Sequence, residues 1–364
     1  MDIKTDDKLE FSDEFQGEDQ EFKELDIKVD PGQGSLRLDS FINEKLAKIS
    51  RNKIQGAIQA GLVTVNGTHQ KSNYKVRPND IIHLVIPSHP DAGKVYPEKI
   101  PLDIVFEDED ILLVNKTPGM VVHPAHGNYS GTLVNAVAGY YNLDPENPAT
   151  SRYGLVHRID KETSGLLVLA KNDYAHAHLS KQFFEHSIGR EYWALVWGEP
   201  DPPVGTITAN LGRDPNNRQK MYAFTDGSQG KHSVTHYQLL ESFYYTSLIS
   251  CKLETGRTHQ IRVHLKLIGH PLFNDIRYGG DRLVKGTIFT KYKQFVQNCF
   301  KLMPRFPLHA RSLDFTHPRT GERMFFEVPL PNDFQQLLDK WRKYVLHKKE
   351  GILENELENE TEQS

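Results

Sequence analysis

A short polar segment, residues 153–165, contains side chains of the types that could carry out covalent catalysis. Asp160 stands between Arg158 and Lys161, and an aspartate, with an unperturbed pKa of about 3.9, is ionised at neutral pH. An ionised carboxylate can act as a nucleophile, and nearby cations hold it charged and oriented. A solvated loop with ion pairs is the alternative interpretation, because paired charges on loops are common. The residues by themselves leave both interpretations open.

The element after this segment is a short apolar run, residues 166–170, of strand length. Apolar side chains at successive positions are typical of a strand that is buried on both faces. Gly154 and Gly165 bracket the polar segment, as a loop held against a sheet requires. We therefore expect Asp160 to lie in a loop beside a buried strand.

Two further side chains of types that could do chemistry lie in predicted elements of regular structure. Tyr192 is part of a predicted strand, residues 190–198, in which alternate side chains face opposite ways. Arg262 lies on a predicted helix, residues 258–268. The ordinary interpretations are a core tyrosine and a solvated helix arginine. The pattern alone does not choose between these and a functional site.

Residues 157–171 read His-Arg-Ile-Asp-Lys-Glu-Thr-Ser-Gly-Leu-Leu-Val-Leu-Ala-Lys. This run resembles the active-site motif of the RluA/RluD family of RNA pseudouridine synthases, which is His-Arg-Leu-Asp, two variable residues, then Thr-Ser-Gly-Leu. Ile159 in place of leucine keeps the volume and the apolar character. A protein-kinase catalytic loop, His-Arg-Asp, is not supported, because Asp160 comes one residue too late and neither a Gly-rich loop nor Asp-Phe-Gly accompanies it.

Other segments carry the same resemblance in the family's order. Residues 190–196 match its Arg-x-Tyr-x-Ala-Leu-Val strand, and residues 256–264 match its Gly-Arg-Thr-His-Gln-Ile-Arg-Val-His signature. Residues 115–119, Asn-Lys-Thr-Pro-Gly, resemble its Asn-Lys-Pro-x-Gly turn. Asn274 replaces the first glycine of a Gly-Asp-x-x-Tyr-Gly element, and we expect this change to alter the local backbone.

The resemblance implies isomerisation of uridine to pseudouridine within RNA, in which the base is detached from C1′, turned, and rejoined through C5. The reaction needs no net redox change or energy input, so neither a cofactor nor a metal is expected. The resemblance implies that Asp160 is the nucleophile, that Arg262 pairs with it, and that Tyr192 stacks on the base and relays a proton at C5. The nucleotide is expected to be flipped out of its helix. Attack at C6, attack at C1′ and a glycal-forming step stay open.

The front of the chain, residues 31–88, reads as two short helices and a small hairpin with a tight Asn66-Gly67 turn. This order resembles the S4 RNA-binding domain, and a small basic module for protein contacts is the alternative. The side chains expected to contact RNA are Arg37, Arg51, Lys53, Lys71 and Lys75 in this domain, and His157, Arg158 and Arg257 in the second domain.

These patterns predict an α+β fold in five parts. Residues 1–30 are expected to be an acidic disordered tail, and residues 31–88 the S4 domain. Residues 89–100 read as a linker. Residues 101–347 are expected to form the catalytic domain, on a mixed, mostly antiparallel sheet, and residues 348–364 a second acidic tail.

Charge and composition narrow the class of partner. The net charge of −4 hides two acidic ends, because residues 1–30 carry −8 and residues 350–364 carry −6, leaving +10 on the body. A basic body favours a polyanionic partner such as RNA. No apolar run reaches the roughly 20 residues of a membrane span, and two cysteines without metal-ligand spacing indicate a reducing compartment. We therefore expect a monomer in the cytoplasm, without a membrane partner.

The predicted function is an RNA pseudouridine synthase acting on 23S ribosomal RNA, since relatives that join an S4 module to this domain chiefly modify the large subunit. Transfer RNA is the alternative substrate. A non-catalytic RNA-binding or ribosome-assembly factor is the alternative class, against which Asp160, Tyr192 and Arg262 argue. A hydrolase using Asp160 and His157 is a second rival, which the release of free uracil would reveal.

Overall fold

The computed structural model describes residues 22–46, 51–87, 95–124, 128–144, 154–217 and 219–362. Within these ranges the chain forms a small front unit and a large unit built on a ten-stranded sheet. None of the helices in these ranges is both long and apolar enough to cross a membrane.

The front unit packs two helices on an antiparallel sheet of strand order β1-β4-β2-β3. Its elements are β1 (Phe22–Lys28), α1 (Leu38–Lys45), α2 (Arg51–Ala60), β2 (Val63–Val65), β3 (Thr68–His69) and β4 (Ile81–Pro87). The apolar faces of the helices, including Phe41 and Ile54, form its core. Asn66 and Gly67 have φ values of 50° and 75°, as the predicted two-residue hairpin turn requires.

The large unit is a mixed sheet in which neighbouring strands are mostly antiparallel, as predicted. Its strands are β5 (Ile104–Glu107), β6 (Ile111–Lys116), β7 (Ser164–Ala170), β8 (Gly189–Trp197), β9 (Val204–Arg213), β10 (Met221–Phe224), β11 (Lys231–Ser242), β12 (Thr246–Leu253), β13 (Leu308–Thr316) and β14 (Arg323–Glu327). Their order is β10-β9-β11-β12-β8-β13-β7-β6-β5, with β14 paired to β13. Within the described residues, β7 and β13 are the parallel pair.

Helices cover both faces of this sheet. They are α3 (Leu133–Tyr140), α4 (Asp173–Phe184), α5 (Gln260–Leu267), α6 (Thr290–Leu302) and α7 (Asn332–Glu362). Helices α3 and α5 pack on one face, whereas α4, α6 and α7 pack on the other. Strand β8 shows the separation, since Tyr192 and Ala194 face α5 while Leu195 and Trp197 face α6 and α7. This is the alternation predicted for the strand.

The parallel joint between β7 and β13 depends on Gly165. This residue has φ +110°, and a Cβ added to it would lie 2.3 Å from the carbonyl oxygen of Ala310 on β13. Only glycine tolerates that approach, so the end of the Asp160 loop is fixed where the two strands meet. Gly154 has the same constraint at the loop's other end, because its Cβ would overlap the carbonyl oxygen of Ala170.

The front unit is packed against α4 of the large unit. Ala60, Leu62 and Val85 form an apolar cluster with Ala177, and Phe184 packs against it. Because Gly56 has no side chain, α2 can approach α4 closely. A Cβ at this position would lie 3.4 Å from the Asp173 carbonyl oxygen. The front unit therefore has a packed contact with the domain that carries Asp160.

The predicted boundary of the N-terminal tail is wrong, because residues 22–28 form β1, an edge strand that pairs with β4. Residues 1–21 lie outside the described residues. The signal that could have revealed β1 is the alternation of Leu25, Ile27 and Val29, of which the last two are buried. Charged residues between them face outward, as is typical of an edge strand.

Two other predicted boundaries also move. Residues 95–100, assigned to the linker, belong to the large unit, because Val95 is buried in its core and Asn135 donates a hydrogen bond to the Tyr96 carbonyl. Residues 88–94 are outside the described residues. The final helix does not end near residue 347 but continues to Glu362, so residues 348–362 of the predicted acidic tail are helical.

Candidate active site

A cleft lies beside the α5 face of the sheet, and five of the residues expected from the sequence line it. The space between its walls, counted together with the open solvent at its mouth, is about 440 Å³. The five are Arg158, Asp160, Tyr192, Arg257 and Arg262. They come from the loop before β7, from β8, and from the start of α5, so the tertiary structure assembles the site from distant segments.

Asp160 and Arg262 form an ion pair in this cleft. Arg262 Nη1 donates a hydrogen bond of 2.9 Å to Asp160 Oδ2, across 102 residues of sequence. The Arg262 side chain is 6% exposed and that of Asp160 is 23% exposed. The carboxylate therefore reaches the cleft while its cationic partner is buried behind it.

A second carboxylate holds Arg262 in place. Arg262 Nε and Nη2 donate to the two oxygens of buried Asp275 at 2.8 and 2.9 Å, and the guanidinium lies 4.1 Å from the Phe306 ring centre. Asn274, where the family has glycine, has φ 57°, a region that asparagine tolerates. The turn presenting Asp275 is thus built despite the substitution. The sequence pattern contained Asp275 but did not indicate this role.

The electrostatics of the cleft favour an ionised Asp160. Burial by itself raises the pKa of a carboxyl group, but the neighbouring His259 and Arg262 side chains act in the opposite direction and lower the pKa of Asp160 to about 2. The two carboxylates beside Arg262 raise the pKa of its guanidinium despite burial. Asp160 is therefore negatively charged throughout the neutral pH range.

Tyr192 lies on β8, with β12 and β13 on either side at Cys251 and Ala310. It is 7% exposed and lines the cleft together with Asp160. An aromatic side chain at the wall of the cleft offers an apolar surface on which a planar ring can stack.

Lys116 fastens the loop that carries Asp160. This residue ends β6, is buried, and donates from Nζ to three backbone carbonyls, those of Thr117 and Met120 at 2.9 Å and Lys161 at 3.1 Å. The Gly119 N–H donates to the same Lys161 carbonyl. Residues 115–119, predicted from the sequence only as a turn, thus tie β6 to the residue after Asp160.

Replacing Lys116 by methionine is expected to change how stability depends on pH. Burial is the main cause that lowers the pKa of Lys116 from 10.5 to about 7. Between these values the unfolded chain binds more protons than the folded one, so wild-type stability gains with rising pH. The free-energy advantage of the wild type over Lys116→Met should increase by about 1–2 kcal/mol from pH 7.5 to pH 9. Urea unfolding at several pH values measures it.

The control for this experiment is Lys343→Met, which changes an exposed lysine on α7. Its free-energy difference from the wild type should stay constant over the same pH range. If the unfolding free energies of Lys116→Met and the wild type change in parallel with pH, burial does not lower the pKa of Lys116 as expected.

The insertion at residues 281–306, whose sequence indicates no role, also supports the Asp160 loop. Its Arg305 donates to the Glu162 carbonyl at 2.9 Å and forms a two-pronged ion pair with Asp333 at the start of α7. Helix α6, within the insertion, packs on α7 in an aromatic-rich cluster. The insertion is therefore part of the core and fixes the loop at Glu162, next to the Lys161 carbonyl that Lys116 binds.

The structure corrects the expected RNA contact of His157. Its ring is 2% exposed, lies 4.4 Å from the Phe183 ring on α4, and accepts the Val168 N–H at Nε2. Because side chains alternate along the extended segment, Arg158 is exposed and lines the cleft whereas His157 faces the core. His157 thus supports β7 and is not available to RNA.

The basic residues predicted in the S4 domain differ in their surroundings. Arg37 and Arg51 both donate to the buried carboxylate of Asp39, and their side chains are 40% and 50% exposed. Hydrogen bonds from these arginines outweigh burial and lower the pKa of Asp39. Lys71 and Lys75 are exposed, and Lys53 is half-buried. The arginines are therefore held at defined positions with part of each guanidinium open to solvent.

No group of three or more His, Cys, Asp or Glu side chains in the described ranges is arranged to hold a metal ion. Of the two closely spaced histidines at positions 123 and 126, His123 has its Nδ1 3.0 Å from the Pro124 carbonyl oxygen. His126 lies outside the described residues.

Comparison with known proteins agrees with the family that the motifs resemble. The model of the RNA pseudouridylate synthase family matches residues 110–267, and that of the S4 domain matches residues 36–82. An uncharacterised RNA pseudouridine synthase of Chlorobaculum parvum is 43% identical over 321 residues, which cover 87% of this chain and 98% of that protein. The uncharacterised RNA pseudouridine synthase YlyB of Bacillus subtilis is 43% identical over 320 residues, covering 88% and 99%.

A third relative is the ribosomal large subunit pseudouridine synthase D of Zymomonas mobilis, 42% identical over 305 residues that cover 83% of this chain and 92% of that protein. The matching family models and these relatives define an RNA-modifying isomerase with an S4 domain in front. The chain belongs to the RNA pseudouridine synthase family, in the RluA/RluD group that its motifs resemble.

Proposed function

We propose that this enzyme converts specific uridines of large-subunit ribosomal RNA to pseudouridine, with Asp160 as its nucleophile. The observation that carries the proposal is the ion pair of 2.9 Å between Asp160 and Arg262, placed in a cleft that is open to solvent. The relative named for the large ribosomal subunit supports the choice of RNA.

The geometry supplies what the first chemical step needs. Adduct formation at C6, attack at C1′ and a glycal-forming step all use an ionised carboxylate, and Arg262 keeps Asp160 in that form. Arg262 holds Oδ2, which leaves Oδ1 directed elsewhere in the cleft. Tyr192 stacks on the uracil ring in this proposal, and its hydroxyl relays the proton that leaves C5.

The cleft also explains how an RNA nucleotide reaches Asp160. A uridine stacked in a helix cannot contact a carboxylate that is only 23% exposed, so the nucleotide turns outward into the cleft. Arg158 and Arg257 line the cleft without being fully buried, and we assign them to the phosphates that flank the turned nucleotide. Arg190, two residues before Tyr192, also lines the cleft but is 5% exposed, so we assign it no phosphate.

The S4 domain is proposed to hold the RNA through phosphate contacts. Changing Lys71 and Lys75 together to alanine is expected to weaken RNA binding several-fold. The slope of log K against log salt should fall by about 1–2, since each phosphate contact contributes about 0.7–0.9 to it. Binding titrations between 50 and 300 mM salt measure both quantities.

The matched control changes Lys301 and Lys343 to alanine, since both are exposed on α6 and α7, across the sheet from the cleft. Their loss should leave the salt slope unchanged. Equal slopes for all three proteins would remove Lys71 and Lys75 from the RNA interface.

The test of the function is a map of pseudouridines in cellular RNA with and without this gene. We expect one or more sites in large-subunit ribosomal RNA to disappear and to return with the wild-type gene. Loss of sites only in transfer RNA would overturn the choice of substrate. An unchanged map with defective ribosome assembly would favour a non-catalytic factor, and free uracil from purified protein and RNA would indicate a hydrolase.

The proposed setting is the cytoplasm, where ribosomal RNA of a bacterial type is made, with the enzyme acting as a monomer. Both cysteines, Cys251 and Cys299, are free and buried, in keeping with a reducing compartment. Sedimentation of the purified chain checks the monomer, and fractionation checks the compartment.

A further inference from the structure

His259 precedes α5 in an unusual backbone conformation. Its φ is 56° and its ψ is 19°, in the left-handed region that non-glycine residues seldom adopt. Its side chain makes no capping hydrogen bond to the helix, although it stands at the N-cap position. Strain of this kind persists where surrounding contacts fix it, and it concentrates at functional sites. The side chain instead points into the cleft, where it is 13% exposed.

Tyr278 determines which ring nitrogen of His259 carries the proton. The Tyr278 hydroxyl lies 2.7 Å from His259 Nδ1 and accepts the Met221 N–H at 3.0 Å. Tyr278 is 3% exposed, and a buried hydroxyl uses its own hydrogen in a hydrogen bond. Within the described residues Nδ1 is the acceptor placed to receive it, so the proton of the neutral imidazole lies on Nε2.

The protonated nitrogen faces the proposed nucleophile. His259 Nε2 is 4.0 Å from Asp160 Oδ1, while Arg262 binds the other oxygen, Oδ2, at 2.9 Å. Burial lowers the pKa of His259 to about 4, against the opposing charge of Asp160, so the ring is neutral near pH 7. Asp160 therefore has a guanidinium on one oxygen and a neutral N–H opposite the other.

We propose that His259 is a positioning residue, whose Nε2–H limits rotation of the Asp160 carboxylate and presents Oδ1 to the nucleotide. At 4.0 Å the two atoms attract each other without a direct hydrogen bond. Oδ1 is thus oriented while its lone pairs stay available for attack. A second guanidinium, hydrogen-bonded directly to Oδ1, would occupy those lone pairs. This inference rests on the proposed function, because it assigns Oδ1 as the attacking atom.

The test compares His259→Gln with His259→Leu. Both variants share the left-handed backbone position, but glutamine retains an N–H donor near the place of Nε2 and leucine does not. In single-turnover reactions with saturating RNA, we expect His259→Leu to be slower by about 10- to 100-fold. His259→Gln should stay within about threefold of the wild type, and RNA Kd should change less than about twofold in both. Wild-type rates for His259→Leu, or equal losses in both variants, would overturn the proposal.

A second measurement does not depend on activity or on a variant that folds. Nitrogen-15 NMR of the wild-type histidine rings reports the tautomer, and we expect the His259 proton on Nε2. A proton on Nδ1 would overturn the proposal. Absence of pseudouridine formation by the wild-type enzyme would instead refute the proposed function, whatever the tautomer.

Discussion

Asp160→Asn is expected to abolish pseudouridine formation, with a loss of at least about 10⁴-fold in the single-turnover rate, the order of loss when a nucleophile is removed. The amide has nearly the same volume and its oxygen can still accept from Arg262, so the cleft keeps its shape. It cannot form the covalent bond or carry the negative charge that the reaction uses. RNA Kd should stay within about twofold, because the phosphate contacts are unchanged. Quenched-time assays and binding titrations measure the two effects.

The matched control is Asp281→Asn, which changes an exposed carboxylate outside the cleft lining. It should turn over at the wild-type rate. A wild-type rate from Asp160→Asn would refute the nucleophile assignment. A loss of RNA affinity as large as the loss of rate would show that the substitution disturbs the binding surface instead.

Arg262→Met is expected to lower both stability and activity. It leaves Asp275, whose side chain is 1% exposed, as an unpaired buried carboxylate, and it also removes the partner of Asp160. Removing one member of a buried ion pair costs about 3–5 kcal/mol of unfolding free energy. The stability and activity of Arg262→Lys should lie between those of the wild type and of Arg262→Met. Its ammonium group keeps the charge but cannot bind both carboxylates in the planar geometry of a guanidinium. Denaturant unfolding gives the free energies, and rates measured below the midpoint give the activity.

Arg342→Met provides the comparison on the surface. Arg342 also forms a two-pronged ion pair, with Glu241, but the two side chains are 38% and 36% exposed. Solvent screens such a pair, so its loss should cost no more than about 1 kcal/mol. If Arg262→Met is as stable as Arg342→Met, the buried pair does not hold the cleft together.

Short-range signals in the chain were sufficient for several elements and for the family. The alternation along residues 190–197 predicted the two faces of β8, and Asn66-Gly67 predicted the hairpin turn between β2 and β3. Both signals depend on neighbours within a few residues, which the sequence displays directly. The charge of Asp160 and its loop position were likewise predicted, the charge from the residue type and the loop from the glycines on either side.

The limits of the tail and of the linker could not be predicted from the sequence, for a physical reason. β1 is held by pairing with β4, about 60 residues away, and its charged outer positions resemble those of a solvated tail. Val95 is apolar in a proline-containing stretch, and only the core it enters shows that it does not belong to a linker. His157 and Arg158 are neighbours in one polar motif, yet they face opposite ways once β7 is packed against α4.

The sequence by itself indicated the S4 and synthase domains, the strand of Tyr192 and the helix of Arg262, and it marked Asp160 as the candidate nucleophile. Tertiary structure alone decided how Asp160 is held: the distance to Arg262, the bracing by Asp275, and the clamps from Lys116 and Arg305. These contacts join segments between 13 and 143 residues apart, except where Lys116 binds its own turn. Such distances follow from the packing of a whole sheet, and no local pattern of residue types encodes them.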